Sequence, residues 1–569
     1  MKKLQFLFLS LSLLSFLVFI AGGRHSGNAR EGPSIQEEFV SNEVIVKFKK
    51  GTVRALIQYG IDQVQGKIKT HQGTDIATQE WDPELANHRS FPADPYLFHI
   101  KVPGFIGTEQ AEYILNLNPN VVYAEKNYIW HETVNPNDTY FYKLWGLHNL
   151  GLPNQGNGTP DADIDAPEAW SIHTGSASVV VAVIDTGIRY DHLDLQDNIW
   201  TNPGETGGGK ENNNIDDDGN GKIDDWRGWD FVNNDKDPLD DRYPYYHGTH
   251  VAGTIGAKGN NNRGVVGVCW NVKLMALKAG NSDGWFTNSN LINAIDYSTN
   301  KGARLSNNSY AGTTYSQAVL EAIYRAQSSG KLFIAAAGND GVNNDLIPHY
   351  PASYDLDNIV SVAATDHFDN KAGYSDSGPY SVDVGAPGGT DLTEDTTYNI
   401  YSTKLEPDSY RYLDGTSMAS PLVAGEAALI WAHRPSLNWW QVKNLIMKSV
   451  DPKDSLFYFV NSGGRINAYN ALTRPTPNLP TAPSNLIAWP FDCDIKLTWT
   501  DNSNNESGFE IHRKQGYVFH LIGTTGANVT TYWDYELPPG HYYYYLRAYN
   551  SYGTSQKTLQ QGATATQCQ

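Results

Sequence analysis

Four short segments of the sequence carry side chains that together could perform acyl transfer. Asp185 directly follows an apolar run at 179–184, and His247 opens a segment rich in small residues. Asn339 comes just after another apolar run, and Ser417 stands where a helix is predicted to begin. A serine hydroxyl becomes a nucleophile when a histidine removes its proton and a carboxylate orients that histidine. An amide side chain and a backbone N–H could then hold the oxyanion that forms.

The elements that must position these residues are those of an α/β fold. Apolar runs at 179–184 and 331–337 predict parallel strands that are buried on both faces. Helices are predicted at 317–326, 417–432 and 439–448. The alternation of strands and helices from about residue 134 to 473 predicts a parallel sheet with helices on both faces and a site at the carboxyl ends of its strands. Pro421 is expected in the first turn of the serine helix, where its missing N–H costs little.

The composition limits the class of protein. A chain of 569 residues is too long for a single core and predicts several domains. Its net charge of −20 argues against nucleic-acid binding. Among its 3 cysteines, Cys269 lies in an apolar run and is expected to be a buried packing thiol. Cys493 and Cys568 could pair in an oxidising compartment.

Residues 1–22 have the pattern of a secretory signal peptide. Two lysines follow Met1, residues 4–20 are almost wholly apolar, and small residues at 21–23 could form a cleavage site. An uncleaved N-terminal anchor is the alternative. No later stretch is apolar enough to span a bilayer, so we expect a secreted, extracellular protein with no integral membrane segment after cleavage.

The segments around the candidate residues resemble the three signature segments of the subtilisin-like serine proteases, the subtilases of peptidase family S8. These segments are Val183–Gly187, His247–Thr254 and Gly415–Pro421. The resemblance covers about residues 134–473 and implies the subtilisin-like α/β fold. The implied roles are Asp185 as orienting carboxylate, His247 (not His250) as base, Ser417 as nucleophile and Asn339 as oxyanion-hole residue. One departure is Leu422, where many family members carry histidine, and we expect it to affect packing only.

The resemblance also implies how a substrate would be held. One segment resembles the strand that pairs with an extended substrate backbone and walls the pocket for the side chain before the cleaved bond. That segment consists of Ser309, Tyr310, Ala311 and Gly312. Ala336 and Gly338 are expected in the opposite wall at 335–339, and His349, aligned through Tyr350-Pro351, near the floor. Strand pairing predicts broad specificity, because main-chain hydrogen bonds do not depend on side-chain identity.

The segment from Glu211 to Asp241 is strongly acidic, with 11 acidic and 3 basic residues. Within it, oxygen-bearing side chains alternate around a glycine, as in the first half of an EF-hand calcium loop. The candidate ligands are Asp216, Asp218, Asn220 and Asp224. The twelfth position would be Arg227 rather than glutamate, so the segment is not a full EF-hand. A solvated acidic loop without an ion is the alternative.

Two further calcium sites are implied by the resemblance. Asp230, Asn233, Asp235 and Asp237 resemble a calcium loop of thermitase-like subtilases. Asp194 and Asn261 fall at the family's strongest calcium site, which the carbonyls of Gly259, Arg263 and Val265 would complete. We therefore expect Ca²⁺ as a structural cofactor at one or more sites.

The regions that flank the peptidase-like segment at 134–473 resemble accessory domains. Residues 39–132 resemble the inhibitory prodomain of subtilases, within a propeptide at 23–133, and we expect self-cleavage near Glu132 to Val134. A proline-rich linker at 474–483 leads to residues 484–569, which resemble a fibronectin type III module. That module could be a spacer, a binder of substrate or cell surface, or a stabilising appendage.

The sequence as a whole predicts a secreted, calcium-stabilised serine endopeptidase that is made as an autoprocessed zymogen. It would act as a monomer on polypeptide substrates, with its own prodomain as an intramolecular inhibitor and no nucleic-acid partner. Two alternatives stay open. One is a catalytically silent adhesin with the same fold, and the other is acyl transfer to an amine instead of water, which shares the acyl-enzyme.

Overall fold

The structure of the protein is a computed structural model that describes most of the chain. The described residues are 39–52, 56–57, 61, 88–91, 93–102, 107–128, 134–390 and 396–568. The predicted signal peptide lies outside them, as do residues 129–133, which include residues 132 and 133 of the predicted cleavage region. Among the described residues, no helix has the length and apolar character needed to cross a membrane.

The first described region is an antiparallel sheet with a helix packed against it. Its elements are β1 (Phe39–Phe48), β2 (His88–Phe91), β3 (Asp94–Lys101), α1 (Thr108–Asn116) and β4 (Val121–Tyr128). The strands lie in the order β2-β3-β1-β4. Val44 and Val46 point to the same face of β1 because side chains alternate along a strand, and there they meet Ile100 and Leu115 in a buried core.

The central region alternates strands and helices. Its strands are β5 (Gly175–Asp185), β6 (Gly228–Asp230), β7 (Asn271–Lys278), β8 (Leu305–Asn308), β9 (Leu332–Ala336), β10 (Ile359–Thr365), β11 (Val384–Pro387), β12 (Ile400–Thr403), β13 (Tyr410–Leu413), β14 (Asp451–Pro452) and β15 (Gly464–Arg465). Its helices are α2 (Ala166–Ile172), α3 (His247–Gly256), α4 (Asn288–Asn300), α5 (Gln317–Ser328), α6 (Thr416–His433), α7 (Trp439–Lys448) and α8 (Ala468–Thr473). Short 3-10 turns occur at Phe141–Lys143, Pro153–Gln155 and Gln196–Asn198.

Nine of the strands form one sheet in the order β14-β15-β11-β10-β9-β8-β5-β7-β6. Every neighbouring pair in it is parallel except β14 with β15, so the sheet is mixed at one edge. Val181 and Val183 of β5 face the core that contains α3 and α6, whereas Ala182 and Ile184 face the core that contains α4 and α5. Helices therefore cover both faces, which confirms the predicted α/β architecture.

The helix α6 contacts several strands of the sheet, from β5 to β11. Its residues from Met418 to Trp431 are buried because, apart from Glu426, its sequence is small or apolar on every side. Leu422 lies in this core. The observed helix extends the predicted one by a single residue at each end.

The C-terminal region consists of antiparallel strands in two sheets. Its strands are β16 (Ser484–Phe491), β17 (Asp494–Thr500), β18 (Gly508–Gln515), β19 (Val518–Gly526), β20 (Thr531–Asp534), β21 (Gly540–Asn550), β22 (Gly553–Thr554) and β23 (Gln561–Ala565). The orders are β16-β17-β20 and β19-β18-β21-β22, and β23 pairs with β21. Trp499 and Phe509 pack edge to face in the core that the two sheets share, with ring centroids 5.4 Å apart. A disulfide joins Cys493 to Cys568, and Cys269 is a free, buried thiol.

The proline-rich segment between these regions is packed rather than extended into solvent. Pro477, Pro480 and Pro483 are buried. The Gln441 amide donates a hydrogen bond to the carbonyl of Pro477 (3.3 Å), and the Asn505 amide donates one to the carbonyl of Asn478 (3.1 Å). The C-terminal sheets are therefore tied to the central region through the segment that joins them.

Candidate active site

Two of the predicted residues meet at the carboxyl end of β5. Asp185 is the last residue of β5 and is fully buried, and His247 is the first residue of α3. The His247 Nδ1–H donates a hydrogen bond of 2.7 Å to Asp185 Oδ1. Burial opposes the charged imidazolium, but the charge and hydrogen bond of Asp185 outweigh it, so the pKa of His247 is raised. Because Nδ1 is committed to Asp185, Nε2 is the nitrogen that can accept a proton.

A buried carboxylate that sequence reasoning missed braces this pair. Asp240 accepts hydrogen bonds from the Thr186 hydroxyl (2.9 Å) and from the Thr249 hydroxyl (2.7 Å) and N–H (2.9 Å). Burial raises the pKa of Asp240 to about 6. Thr186 follows Asp185 and Thr249 lies in the first turn of α3, so Asp240 ties the end of β5 to the start of α3. The sequence does not single out Asp240, because it is one of many acidic residues in the segment from Glu211 to Asp241.

The second histidine of the motif has a different environment. His250 is fully buried, and its Nε2 lies 3.0 Å from the carbonyl of Ile400 and 3.2 Å from that of Arg411. Burial lowers the pKa of His250 to about 3, so it stays neutral and holds the β12–β13 hairpin against α3. His250 therefore does not face the site, whereas His247 does.

Ser417 lies in the first turn of α6. Its hydroxyl donates a hydrogen bond to the carbonyl of Ser309 at 3.2 Å. The expectation that Pro421 lies in the first turn is wrong: it is the sixth residue of α6, so it removes the N–H that would bond to the carbonyl of Ser417. The Ser309 hydroxyl donates to that carbonyl instead, at 2.9 Å. Ser309 thus supports the helix turn that carries Ser417.

Asn339 faces the same turn of α6. Its Oδ1 accepts hydrogen bonds from the Thr416 N–H (2.9 Å) and hydroxyl (2.8 Å), which fixes the amide so that its NH₂ points away. Gly415 has φ = +130°, and a Cβ built there would lie 3.4 Å from Asn339 Nδ2 and 3.6 Å from Ser417 N. The space beside Gly415 is therefore bounded by two hydrogen-bond donors and suits a small anionic oxygen.

The predicted substrate-binding segment follows β8. The Tyr310 ring stacks on Phe286 with centroids 4.7 Å apart, and its hydroxyl donates to Asn308 Oδ1 at 2.9 Å. Ala311 and Gly312 are exposed, and Gly312 exchanges two backbone hydrogen bonds with Tyr350 (2.9 and 2.7 Å). The segment is therefore held in place by contacts with Phe286 and Tyr350.

The predicted opposite wall is formed by the end of β9 and the residues after it. Ala336 and Gly338 are buried, and a Cβ at Gly338 would collide with the carboxylate of Asp376. His349 is buried behind this wall, with Nε2 2.9 Å from Asp340 Oδ2 and Nδ1 3.1 Å from Asp376 Oδ2. His349 is thus held between two carboxylates next to Gly338.

Comparison with known proteins identifies the family. Residues 176–517 match the model of the subtilase family, peptidase S8. The chain belongs to the subtilase family. It is 32% identical over 474 residues to a thermophilic serine proteinase of Bacillus sp. (strain AK1), which covers 82% of this chain and 96% of that protein. It is also 33% identical over 309 residues to thermitase of Thermoactinomyces vulgaris, which covers 54% of this chain and 93% of thermitase.

A third relative is subtilisin DY of Bacillus licheniformis, 36% identical over 284 residues, or 50% of this chain and 87% of that protein. Family membership makes this chain a subtilisin-like serine endopeptidase, which acts on polypeptides. The α/β sheet with α6 at its centre is accordingly the subtilisin-like fold.

The subtilase has a buried oxygen-rich loop at the metal site that was predicted around Asp194 and Asn261. Asp194 is buried and accepts hydrogen bonds from the amide of Asn261 (2.8 Å) and the N–H of Val265 (2.9 Å). Asp138, which sequence reasoning missed, lies beside it: burial, and secondarily the charge of Asp194, raises the pKa of Asp138 to about 6. The Oδ1 atom of Asp138 is buried without a hydrogen-bond partner among the described residues. Gly259 is buried and Arg263 half-buried in the same loop.

In the acidic segment, the structure brings together a different set from the predicted one. Oxygen atoms of Glu205, Asp218 and Asp225 all lie within 4.8 Å of one another. Glu205 is fully buried, and its Oε2 has no hydrogen-bond partner in the described part of the chain. Such a cluster could hold a metal ion, since hard cations take carboxylate oxygens. Asn220 donates its amide to Asp225 Oδ2 (2.7 Å) at the edge of this cluster.

The other predicted ligands of this segment point elsewhere. Asp216 accepts the N–H groups of Gly219 (2.8 Å) and Gly221 (2.7 Å) and so closes its own loop. Asp224 is buried and pairs with Lys236 Nζ at 2.7 Å. Glu205 could not be found from the loop pattern, because it precedes the acidic segment.

In the predicted calcium loop at 230–237, a lysine ammonium lies beside one of the carboxylates. Asp230 is buried and lies 3.1 Å from the ammonium of Lys278, a residue that is itself buried. The amide of Asn233 donates to Asp230 Oδ2 at 2.9 Å. Asp235 accepts the N–H of Asp237 (2.9 Å). Lys278 thus pairs with this carboxylate, as Lys301 pairs with Asp218 in the preceding cluster, where it also lies 3.9 Å from Asp225.

Proposed function

We propose that this subtilase cleaves peptide bonds with Ser417 as nucleophile, His247 as general base and Asp185 as the carboxylate that orients His247. The observation that carries the assignment is the 2.7 Å hydrogen bond between His247 Nδ1 and Asp185 Oδ1 at the carboxyl end of β5. That bond leaves Nε2 in the tautomer that accepts a proton. Asn339 and the Ser417 N–H supply the two donors that bound the space beside Gly415.

The reaction follows from these positions. Rotation of the Ser417 side chain releases its hydroxyl from the Ser309 carbonyl, and His247 Nε2 takes the proton as Oγ attacks the peptide carbonyl. The carbonyl electron pair moves to oxygen, where the Asn339 amide and the Ser417 N–H hold the oxyanion. Collapse breaks the C–N bond, and His247 returns the proton to the leaving amine. Water then adds to the acyl-enzyme, with His247 again as base, and releases Ser417.

We propose that an extended polypeptide lies along Ser309, Tyr310, Ala311 and Gly312. Support comes from the exposure of Ala311 and Gly312 and from the bracing of Tyr310 by Phe286. The side chain before the cleaved bond would enter between this strand and the wall at Ala336 and Gly338, with His349 behind that wall.

We propose further that Ca²⁺ stabilises the fold at two sites, and that no catalytic step uses it. The first would take Asp138, Asp194 and Asn261, with carbonyls of Gly259, Arg263 and Val265. The second would take Glu205, Asp218 and Asp225. Two buried carboxylate oxygens without hydrogen-bond partners, Asp138 Oδ1 and Glu205 Oε2, support these sites, because such atoms are costly unless a cation meets them.

The flanking regions complete the proposal. We propose a secreted zymogen with a signal peptide at 1–22, a propeptide at 23–133 and self-cleavage near Glu132 to Val134. The sheet of β1 to β4 would be the inhibitory prodomain, and residues 484–569 a fibronectin type III-like module. The mature enzyme would be a monomer.

Expression of the full chain beside Ser417→Ala tests this proposal, with exposed Ser328→Ala as matched control. We expect the wild type and Ser328→Ala to lose about the first 130 residues by intact mass and to digest casein. We expect Ser417→Ala to remain full-length and inert. If the wild type also stays uncleaved and inactive with calcium present, the result favours the alternative hypothesis of a catalytically silent adhesin. If the product masses show peptides joined through new amide bonds, acyl transfer to amines replaces hydrolysis.

A further inference from the structure

A guanidinium group without a counter-ion lies next to the catalytic histidine. The main chain of Arg242 is fixed: its carbonyl accepts the N–H of Tyr246 (2.7 Å), and its N–H donates to Asp240 Oδ1 (3.3 Å). Its side chain, by contrast, forms no hydrogen bond or ion pair with any described residue, and its Nε is buried. Its guanidinium lies over the ring of Tyr245, with Cζ 5.4 Å from the ring centroid.

The loop from Gly280 to Phe286 places this charge on the rim of the active site. The N–H of Gly280 donates to the carbonyl of Asp185 at 3.0 Å, so one end of the loop starts beside the catalytic carboxylate. Phe286, at its other end, stacks on Tyr310 of the substrate-binding segment. Between them, Gly284 has φ = +79°, and a Cβ there would collide with the guanidinium of Arg242. Arg242 is therefore packed against the loop that joins the two sides of the proposed substrate path.

Strand geometry determines which substrate residue would meet this charge. In an extended peptide, successive side chains point to opposite faces. If one side chain enters the pocket at Ala336 and Gly338, the preceding residue, called P2, turns its side chain the other way. That side chain would then face the loop from Gly280 to Phe286, against which Arg242 packs.

We propose that Arg242 is a specificity-determining residue that binds a carboxylate side chain at P2 of the substrate. The inference rests on the roles proposed above for Ser417 and His247. A partly buried guanidinium is costly without a counter-ion, and a planar carboxylate is the partner that it binds best. The charge of Arg242 also lowers the pKa of His247, after the larger effects of burial and Asp185, so an acidic P2 residue would offset that effect. In the sequence, Glu132 precedes Thr133, so a cut between Thr133 and Val134 would place an acidic residue at P2.

Paired peptides that differ only by Glu or Gln at P2 provide the test, because the two side chains share shape and differ in charge. For wild type at low salt we expect kcat/KM to be about twofold to fivefold higher for the Glu peptide, as an accessible ion pair allows. Arg242→Gln should bring the Glu-to-Gln ratio of kcat/KM to about one. Arg242→Glu should cleave a third peptide, with Lys at P2, faster than either of these two. Arg242→Lys should restore part of the preference.

Arg325→Gln is the matched control, because Arg325 is exposed on α5 and already pairs with Asp296. It should keep the wild-type ratio. Melting temperatures establish that each variant is folded before its ratio is compared. Equal cleavage of both peptides by the wild type, or a Glu preference that survives in Arg242→Gln, would overturn the proposal. Failure of the wild type to cleave either peptide would instead refute the proposed catalytic roles.

Discussion

The helix that carries Ser417 contains a buried carboxyl group. Removal of this carboxyl group should change how the free energy of unfolding depends on pH. Glu426 lies on α6 and is fully buried, and neither carboxyl oxygen has a hydrogen-bond partner among the described residues. Burial, with a smaller contribution from the charge of Asp451, raises the pKa of Glu426 from 4.5 to about 8. Glu426 is therefore protonated in the folded enzyme at neutral pH.

The sign of the effect follows from this shift. Below pH 4.5 the carboxyl is protonated in both states, so Glu426 has no pH-dependent cost there. Between pH 4.5 and about 8 the unfolded chain ionises while the folded one does not, so the free energy of unfolding falls by about 1.4 kcal/mol per pH unit. The accumulated loss by pH 8 is about 4 to 5 kcal/mol. Glu426→Leu, similar in volume and without charge, removes this loss.

Urea unfolding of Glu426→Leu at pH 5 and pH 8 measures the effect. Both the variant and its parent should carry Ser417→Ala so that self-digestion does not interfere. We expect the stability of Glu426→Leu relative to its parent to rise by several kcal/mol between the two pH values. Glu321→Leu, a substitution at an exposed position of α5, should show no such pH dependence. A difference between variant and parent that is the same at pH 5 and pH 8 would refute the reasoning.

Four further predictions concern the site and its supports. Asn339→Ala should lower kcat for a peptide substrate by about 10²- to 10³-fold with little change in KM, as is typical when an oxyanion hole loses one donor. Asp185→Asn should lower kcat by about 10⁴-fold and should also lower the pKa of His247, seen in the pH–rate profile; an unchanged profile would contradict the pairing. Glu205→Gln should reduce the drop in melting temperature that a calcium chelator causes in the wild type, and a wild type indifferent to chelator would contradict the metal site. Cys493→Ser should destabilise the C-terminal sheets by about 2 to 4 kcal/mol in urea unfolding while peptide cleavage at 25 °C persists.

The parts of the fold that could be predicted are those that local sequence determines. The apolar runs that became β5 and β9 are strands because only a strand buried on both faces has so continuous an apolar sequence at that length. Asp185 is the last residue of β5 and Asn339 lies just beyond β9, so their positions at the carboxyl end of the sheet followed from the chain alone. The helix with Ser417 was also predictable, because its local sequence alone indicated a helix at 417–432.

The parts that could not be predicted depend on contacts between distant segments. Asp138 is beside Asp194 only because the chain before the sheet folds back on the loop after α3, where it accepts the N–H of Asn260 at 2.7 Å. Glu205 lies beside Asp218 because its Oε1 accepts the backbone N–H of Asp218 at 3.0 Å, a contact that no loop pattern predicts. The first residue of α6 is likewise held by a distant segment, because Asn339 accepts the N–H of Thr416.

The contacts of the C-terminal sheets indicate how they relate to catalysis. Arg547 binds Asp357 at 2.5 Å, and although burial opposes ionisation, the charges of Arg547 and Lys557 lower the pKa of Asp357 to about 2. Separation of this pair would leave a buried charge without a partner, which is costly. Nearby, the indole of Trp440 on α7 donates to the carbonyl of Thr554 at 2.8 Å. Since α7 packs on α6, whose first turn carries Ser417, these sheets are connected through α7 to the helix of the proposed nucleophile, and such contacts favour a stabilising appendage over a free spacer.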